Sequence, residues 1–330
     1  MLQKKKLGKS NIEVSAVGFG CWAIGGPFWL DGKPDGWGEV DDDESVRAIR
    51  RSLELGINLF DTADAYGTGH SEEVLGRALK GRRNEAVIAT KFGYTYNEEE
   101  RQVYTRYDVS PAYIRKACEA SMKRLGTDYI DLYQLHVGSI PIDSIDSVVD
   151  SLDRLKREGW IRAYGWSTDD SVRAEAFAAR SAGDAIQHPL NIFHDHPSMI
   201  GTCERHSLSS INNSPLAMGL LSGKFNRSTT LPQDDVRGSN HDWVLYFKDG
   251  KPKESYLKTL DAVREILTSD GRSMVQGALG WIWGRSGCTI PIPGLKTVKQ
   301  VEEAAQALHY GPLRPEQMKE IEGLFAQADA

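Results

Sequence analysis

Two hydrophobic rhythms trade places along this chain. From Glu44, the apolar residues Val46, Ile49 and Leu53 recur at helical spacing as far as Gly56, and the apolar run Ile57 to Asp61 follows with strand character. The exchange then repeats. Ser71 to Leu79 predicts a helix and Ala86 to Phe92 a strand. Ser110-Pro111 is a capped helix start, and Ile114, Ala117, Cys118, Ser121, Met122 and Leu125 share one face beyond it. Tyr129 to His136 predicts the next strand, the stripe Ile145, Val148, Val149, Leu152 and Leu155 a helix, and Ile161 to Ser167 a strand again. Val172 to Arg180 has a helical pattern, Ala185 to Phe193 an extended one, Met199 to His206 is a short helix and Leu208 to Asn213 a strand. Helices over Tyr256 to Leu267 and Met274 to Trp283 precede a strand at Thr289 to Pro293 and a helix at Val298 to Leu308. At the other end, the turn cluster Gly8-Lys9-Ser10-Asn11 predicts a small hairpin leading into a first strand, Val14 to Gly20.

Strand-helix alternation sustained without a disordered linker predicts a single α/β domain over residues 1–330, a (β/α)8 TIM barrel with an N-terminal β-hairpin and long rim loops. A doubly wound sheet is the alternative. It calls for a G-x-G-x-x-G turn after the first strand, and Gly18-Phe19-Gly20 is followed by Cys21, Trp22 and Ala23. Two stretches break the rhythm: 25–43, rich in Gly, Pro, Asp and Trp, and the polar, aromatic-spotted 226–252. Phe28, Trp29 and Trp37 argue against disorder in the first, and loops of this length in compact domains are usually functional.

Composition narrows the function. With 40 basic and 46 acidic residues well mixed, and a formal charge of −6, the chain lacks the surface expected for nucleic-acid or anionic-membrane binding. No run approaches a membrane span, and the basic N-terminus has no apolar segment like that of a signal peptide. Cys21, Cys118, Cys203 and Cys288 are far apart and form no CxxC. They fit reduced packing cysteines of a cytoplasmic protein.

The chemistry gathers where predicted strands end. Asp61 closes one strand, with Tyr66 five residues on; Lys91 closes the run Val-Ile-Ala-Thr-Lys; His136 closes Leu-Tyr-Gln-Leu-His. Singly, each has an ordinary structural explanation: a backbone-bonding Asp, a core-capping Tyr, a lysine snorkelling to solvent, a satisfied core histidine. Jointly, on adjacent strands of a barrel, they fall at the carboxyl-terminal rim where barrel enzymes carry their chemistry. A tyrosine has a pKa of ~10, and a neighbouring lysine cation is expected to lower it by ~1–3 units, turning the phenol into a usable proton donor.

The motifs Phe-Asp-Thr-Ala-Asp-Ala-Tyr-Gly, Ser71-Glu72 with Leu75-Gly76, Thr90-Lys91, Gln134-Leu135-His136, Gly165-Trp166-Ser167, Gln187 with Asn191, Ser214-Pro215-Leu216, Ser222-Gly223-Lys224 and Ile292-Pro293-Gly294 span nearly the whole chain. In them the sequence resembles the aldo-keto reductases, and among these the bacterial, potassium-channel-β-like branch. The resemblance implies NADPH rather than NADH, and reduction of an aldehyde or ketone, a sugar or another small carbonyl compound, by direct hydride transfer. It implies Tyr66 as general acid, Lys91 as its tuner, Asp61 as the orienter of Lys91, and His136 as the group that fixes the carbonyl oxygen.

For the cofactor, the resemblance implies Ser167, Thr168 and Gln187 around the nicotinamide, Thr168 standing where relatives usually have Asn. It places Asn213, Ser214, Leu216, Gly219, Ser222 and Lys224 along the nicotinamide and pyrophosphate, and Gly294, Lys296, Thr297, Gln300 and Glu303 around the adenosine. Thr297 and Gln300 have capping-box spacing, so free N–H groups at that helix start are expected to favour an anion, with Lys296 meeting a 2′-phosphate. Asn213 stands where many relatives have an aromatic residue or Arg, and Ala304 where Asn is common. Trp22, Trp29 and Trp37 are candidates for the substrate wall, in a pocket suited to an apolar or sugar-like ligand. His194-Asp195-His196 has a superficial likeness to metal ligands but fits a polar rim loop better, and no metal is expected. Two other readings stay open: a cofactor-sensing regulatory protein on the same fold with little turnover, and an unrelated sugar isomerase or aldolase whose Lys91 forms a Schiff base.

Overall fold

The structure, a computed structural model, describes residues 4–328. Eight parallel strands run side by side in chain order: β1 (Phe19–Gly20), β2 (Leu59–Asp61), β3 (Val87–Phe92), β4 (Ile130–Leu135), β5 (Ile161–Ser167), β6 (Ala185–Pro189), β7 (Ser209–Asn213) and β8 (Thr289–Pro291). The last returns to the first. Gly18 and Gly20 N–H donate to Pro291 and Pro293 carbonyls at 2.9 and 2.8 Å, and Leu295 N–H donates to Gly20 O at 3.2 Å, which closes a (β/α)8 barrel. The seam is tight enough to need glycine: a Cβ on Gly20 would lie 2.8 Å from Ile292 O. Strands β3 and β4 are buried at every position, as parallel strands covered on both faces should be.

The helices form for local reasons the sequence displays. Helix α1 (Asp42–Glu54) is capped by Asp41, whose carboxylate accepts from Asp43 and Glu44 N–H. Helix α2 (His70–Leu79) follows β2, and α3 (Pro111–Leu125) starts at the Ser110 cap with Pro111 in its first turn and ends at left-handed Gly126. The ring continues through α4 (Ile145–Arg157), α5 (Ser171–Arg180), α6 (Pro197–Arg205), α7 (Glu254–Leu267), α8 (Met274–Arg285) and α9 (Val298–Tyr310). A terminal α10 (Pro315–Ala328), which the sequence reading did not identify, packs on α7 and α8.

The hairpin and first strand divide differently from expectation. Val14 belongs to the hairpin, Lys5–Lys6 against Glu13–Val14, and only Phe19–Gly20 joins the barrel. The run breaks because Ser15 N–H donates to Asn58 Oδ1 and the Ser15 hydroxyl donates to Val17 O, which takes that backbone out of the ladder. Leu7, Ile12 and Val14 pack against Leu59, Val87, Leu132, Ile211 and Ile290, sealing the barrel floor.

At the opposite end, the long loops are ordered against each other. Trp29–Leu30 and Lys33–Pro34 pair as a short hairpin, and this joins Tyr94–Asn97 and Gln102–Tyr107 in a four-stranded rim sheet. The 25–43 strap also meets the 226–252 segment, where Val236 N–H donates to Gly36 O at 2.8 Å and His241 Nε2 donates to Pro34 O at 3.1 Å.

Candidate active site

Strands β2, β3 and β4 deliver Asp61, Lys91 and, one residue past its strand, His136 to the carboxyl-terminal rim, and the turn after β2 brings Tyr66 back over them. Lys91 is the centre. Its Nζ donates to Asp61 Oδ1 at 2.5 Å, to Thr62 O at 2.9 Å and to Tyr66 Oη at 3.2 Å, which occupies all three of its protons. The other Asp61 oxygen accepts from Gln134 Nε2 at 3.1 Å and Gln187 Nε2 at 2.7 Å. The His136 ring stands edge-on to Tyr66, centroids 5.7 Å apart, and to Tyr94 at 5.2 Å. His136 Nδ1 is buried and has no partner among the described residues.

The electrostatics follow from burial. It lowers the Lys91 pKa, but Asp61 and the Tyr66 phenol more than offset this, so Lys91 is held above the usual lysine value. The expectation that Lys91 brings Tyr66 below its ordinary value is not met. Burial pushes the phenol up, Lys91 pulls it down, Asp61 pushes it up again, and the net direction is upward. In a low-dielectric pocket, desolvation of a phenolate outweighs one cation already shared with a carboxylate. Burial, reinforced by the Lys91 charge, holds the His136 pKa far below that of a free imidazole, so the ring is neutral.

The residues implied for the cofactor divide into three groups. Ser167 at the end of β5 and Asn213 at the end of β7 are partly exposed, and neither side chain bonds to protein among the described residues. Ser214, Gly219, Ser222 and Lys224 follow β7 in a loop with Ser214, Ala217, Met218 and Gly219 all at positive φ; Leu216 packs from it onto the core. Lys224 is exposed and Lys296 partly buried; both are lowered, first by desolvation and then by Arg237, and Asp235 offsets the effect only in part. Three cations therefore converge. Gly294 lies in the barrel seam beside them, and the partly buried Glu303 sits on α9.

Two expectations fail here. Thr168 is buried, its hydroxyl donating to Gly138 O at 2.7 Å and accepting from Asp170 N–H at 3.1 Å, so it is committed internally. The start of α9 is not free either. The Gln300 side chain accepts from Lys296 and Thr297 N–H at 2.9 and 3.2 Å, the Thr297 hydroxyl accepts from Gln300 N–H, and Glu44 from α1 accepts from Val298 N–H at 2.9 Å. The capping box is present, and together with a neighbouring carboxylate it uses the N–H groups that were expected to be available. Gln187 likewise spends its amide N–H on Asp61, leaving its carbonyl oxygen for a ligand. Ala304 is fully buried against the core, where an amide would be costly.

Of the aromatic candidates, Trp22 stacks on Tyr66 at 6.1 Å and meets Trp37 edge-on at 5.2 Å and Trp243 at 5.8 Å. Trp29 stands apart, 38% exposed on the rim hairpin. Asp195 of the His-Asp-His segment pairs with Arg285 at 2.8 Å, and His196 Nε2 bonds Asp169 O. No group of three metal-ligating side chains is assembled among the described residues.

The sequence model of the Aldo/keto reductase family matches residues 16–326. The chain belongs to that family. It is similar to Aldo-keto reductase YhdN of Bacillus subtilis (strain 168), 32% identical over 326 residues that make up 97% of this chain and 92% of that protein. Among solved structures, the glycerol dehydrogenase AKR11B4 from Gluconobacter oxydans superposes with a TM-score of 0.83 at 34% identity, covering 98% of this chain and 95% of that one. The holo form of aldo-keto reductase AKR11C1 from Bacillus halodurans gives 0.77 at 31% identity, covering 98% and 96%. As a member of the family, the chain is an NAD(P)H-dependent oxidoreductase.

In this aldo-keto reductase, sequence reasoning gave no role to Gln134, Arg237, Glu44 or Asp35. Gln134 was visible two residues before His136, and strand alternation puts it on the same face. Arg237 and Asp35 lie in the two irregular segments, where no periodicity reports facing. No described helix is long and apolar enough to cross a membrane.

Proposed function

We propose that this aldo-keto reductase reduces a small aldehyde or ketone to the alcohol with NADPH, using Tyr66 as the general acid. The supporting observation is the Lys91 ammonium bonded at once to Asp61 and to the Tyr66 hydroxyl.

Chemically, the residues present fit the cofactor. Lys224, Arg237 and Lys296 form a mutually repelling cation cluster that an anionic pyrophosphate or 2′-phosphate would relieve, and the unbonded Ser167 and Asn213 side chains, with Gln187 Oε1, suit a carboxamide. When bound, NADPH supplies the hydride. The Tyr66 hydroxyl gives its proton to the carbonyl oxygen as negative charge develops there, and the resulting phenolate is stabilised by the Lys91 ammonium 3.2 Å away. Asp61 holds Lys91 in place and is itself held by Gln134 and Gln187. Neutral His136 has one N–H to direct at the carbonyl oxygen without bringing a competing acid. Trp22, against Tyr66, excludes water from the proton donor.

Titrating NADPH against tryptophan fluorescence, and following NADPH oxidation on a panel of aldehydes and ketones, tests the reading. Tyr66→Phe should bind NADPH as wild type does and lose at least 10²-fold in turnover, the usual worth of general acid help. Unchanged turnover in Tyr66→Phe would overturn the assignment, and absence of NADPH binding would overturn the cofactor.

A further inference from the structure

To hold a carbonyl oxygen, His136 must present one chosen nitrogen, and rotation of its ring about the Cβ–Cγ bond would present another atom instead. Histidines with such a role are commonly fixed by a hydrogen bond at the second ring nitrogen. Here that bond is missing, since the buried Nδ1 has no partner among the described residues. The backbone is anchored, His136 N–H donating to Phe92 O at 2.8 Å, but this does not fix the ring. What meets the ring is aromatic. Tyr66 and Tyr94 stand 5.7 and 5.2 Å from it, centroid to centroid, at interplanar angles of 86° and 67°.

Tyr66 is set by Lys91 and serves as the proton donor. Tyr94 takes no part in the proton transfer, yet its placement is specified from several directions. Gly93, at φ +129°, carries the chain so close to the segment after β4 that a Cβ there would lie 2.7 Å from Val137 Cγ2. Asp108 N–H donates to Gly93 O at 2.9 Å, and the Tyr113 hydroxyl, from α3, donates to Tyr94 O at 2.9 Å. The ladder between Tyr94–Asn97 and Gln102–Tyr107 slips between Tyr94 and Thr95, a bulge of the kind that re-aims a side chain. The Gly138 N–H faces the Tyr94 hydroxyl, so the ring lies along residues 136–138. Apolar contacts reach it from the barrel wall and from the rim cluster of Phe28, Ala65 and Val103. We propose that Tyr94 is the positioning residue of the carbonyl clamp, its ring bracing the His136 imidazole in place of a hydrogen bond at Nδ1. The missing bond also sets the tautomer. A buried N–H without an acceptor is tolerated less well than a buried bare acceptor, so the one proton of the neutral ring resides on Nε2, the nitrogen left to face substrate.

The brace rests on the reductase reading, and two measurements separate their failures. The first follows reduction of the aldehyde that wild type turns over fastest. Tyr94→Leu, which removes the ring, should lower kcat about ten-fold or more with Kd for NADPH unchanged, the scale of misplacing one donor to a developing oxyanion. Tyr94→Phe, which keeps the ring, should recover most of that loss. In a His136→Ala background Tyr94→Leu should cost nothing further, because the residue through which it acts is gone. The second measurement needs no turnover. A 15N–1H correlation spectrum of the imidazoles, with His136 assigned by its disappearance in His136→Ala, should show the Nε2–H tautomer in wild type and in Tyr94→Phe, and nitrogen shifts displaced towards a tautomer average in Tyr94→Leu. Should Tyr94→Leu not fold, Tyr94→Met, which fills more of the space without a ring, takes its place in both. An equal loss in the His136→Ala background, a Tyr94→Phe enzyme as slow as Tyr94→Leu, or an imidazole spectrum indifferent to the ring would overturn the brace. If wild type reduces no carbonyl compound, the reductase reading fails and the imidazole spectrum still decides whether Tyr94 holds His136.

Discussion

Gln187 Nε2 donates to Asp61 Oδ2 at 2.7 Å, from the sixth barrel strand to the second. With Gln134 at 3.1 Å on the same oxygen and Lys91 on the other, a carboxylate 2% exposed is bonded on both of its oxygens. Buried ion pairs are maintained by such supplementary bonds, because the Coulomb gain alone does not repay desolvation. Asp61 is therefore the hub through which three strands set the position of one ammonium.

Truncating that support should be felt at a distance from substrate. Gln134→Ala leaves Asp61 short of one bond and is expected to cost about 1–3 kcal/mol of unfolding free energy, the penalty for an under-satisfied buried acceptor. Turnover should fall with little change in KM, since Lys91 and Tyr66 lose their fixed geometry while the rim is untouched. Urea denaturation and steady-state kinetics check the two parts. Stability equal to wild type would show that the amide is dispensable.

The pH dependence of reduction should reflect the raised phenol. With Tyr66 held above its ordinary value, the proton donor stays loaded through the neutral range, and kcat/KM is expected to fall only above about pH 10. In Lys91→Met, one influence that lowers the Tyr66 pKa is removed, so the residual alkaline fall should move to still higher pH while the rate drops throughout. A pH series on both proteins checks this. An alkaline limb moving towards neutrality in the variant would contradict the electrostatic account.

How much of this was legible beforehand depends on what a residue's neighbours in sequence can report. The barrel was, because its strands and helices keep their own periods and their caps are local: Ser110-Pro111 starts α3 and Thr297 with Gln300 starts α9, as read. The meeting of Asp61, Tyr66, Lys91 and His136 was also visible, since strand ends in a parallel barrel share one rim. The net direction of the Tyr66 pKa was not, because burial is a property of the assembled pocket. Glu44 at the start of α9 could not be seen either. It lies 254 residues from Val298 in sequence, and nothing in the α1 pattern says which helix it will face. The rim sheet escaped notice for the same reason, its strands coming from the 25–43 strap and from residues 94–107, which are far apart in sequence.

Phosphate recognition should depend on Lys296 more than on the helix start. Because Glu44 holds the first N–H of α9 and the Gln300 side chain the two N–H groups before it, the partly buried lysine side chain is expected to be the main partner of a 2′-phosphate. Lys296→Ala is expected to raise Kd for NADPH about ten-fold and to change Kd for NADH much less, a charge-assisted bond being worth about 1.5–3 kcal/mol. Fluorescence titrations with the two cofactors provide the comparison. Equal weakening of both would place Lys296 on a group they share.

Acid stability should carry a histidine signature. His136 is held well below an ordinary imidazole and His188 is lowered to about 3, both by burial first. Their unfolded counterparts take up protons near pH 6.5, so the unfolded chain binds more protons as pH falls below that value. Stability is then lost on acidification at about 1.4 kcal/mol per pH unit for each such group. His136→Asn should flatten the limb between about pH 6.5 and 5 by one group's share, measured as unfolding free energy against pH.

Asp35 predicts the opposite slope at the other end of the scale. Burial pushes its carboxyl up to about 8, so between the ordinary carboxylate range and that value the folded chain holds a proton that the unfolded chain has released. Stability from this group is present at low pH and is lost as pH rises towards 8. The buried carboxyls of Asp64 and Asp184, also raised by burial, act in the same direction, so Asp35 is isolated by difference. Asp35→Asn keeps the shape and removes the ionisation. It should melt at a higher temperature than wild type at pH 8.5, and the advantage should shrink steadily towards pH 5. An advantage that is the same at both pH values would mean that the carboxyl does not titrate in the folded protein, and that its charge is compensated by a group in contact with it.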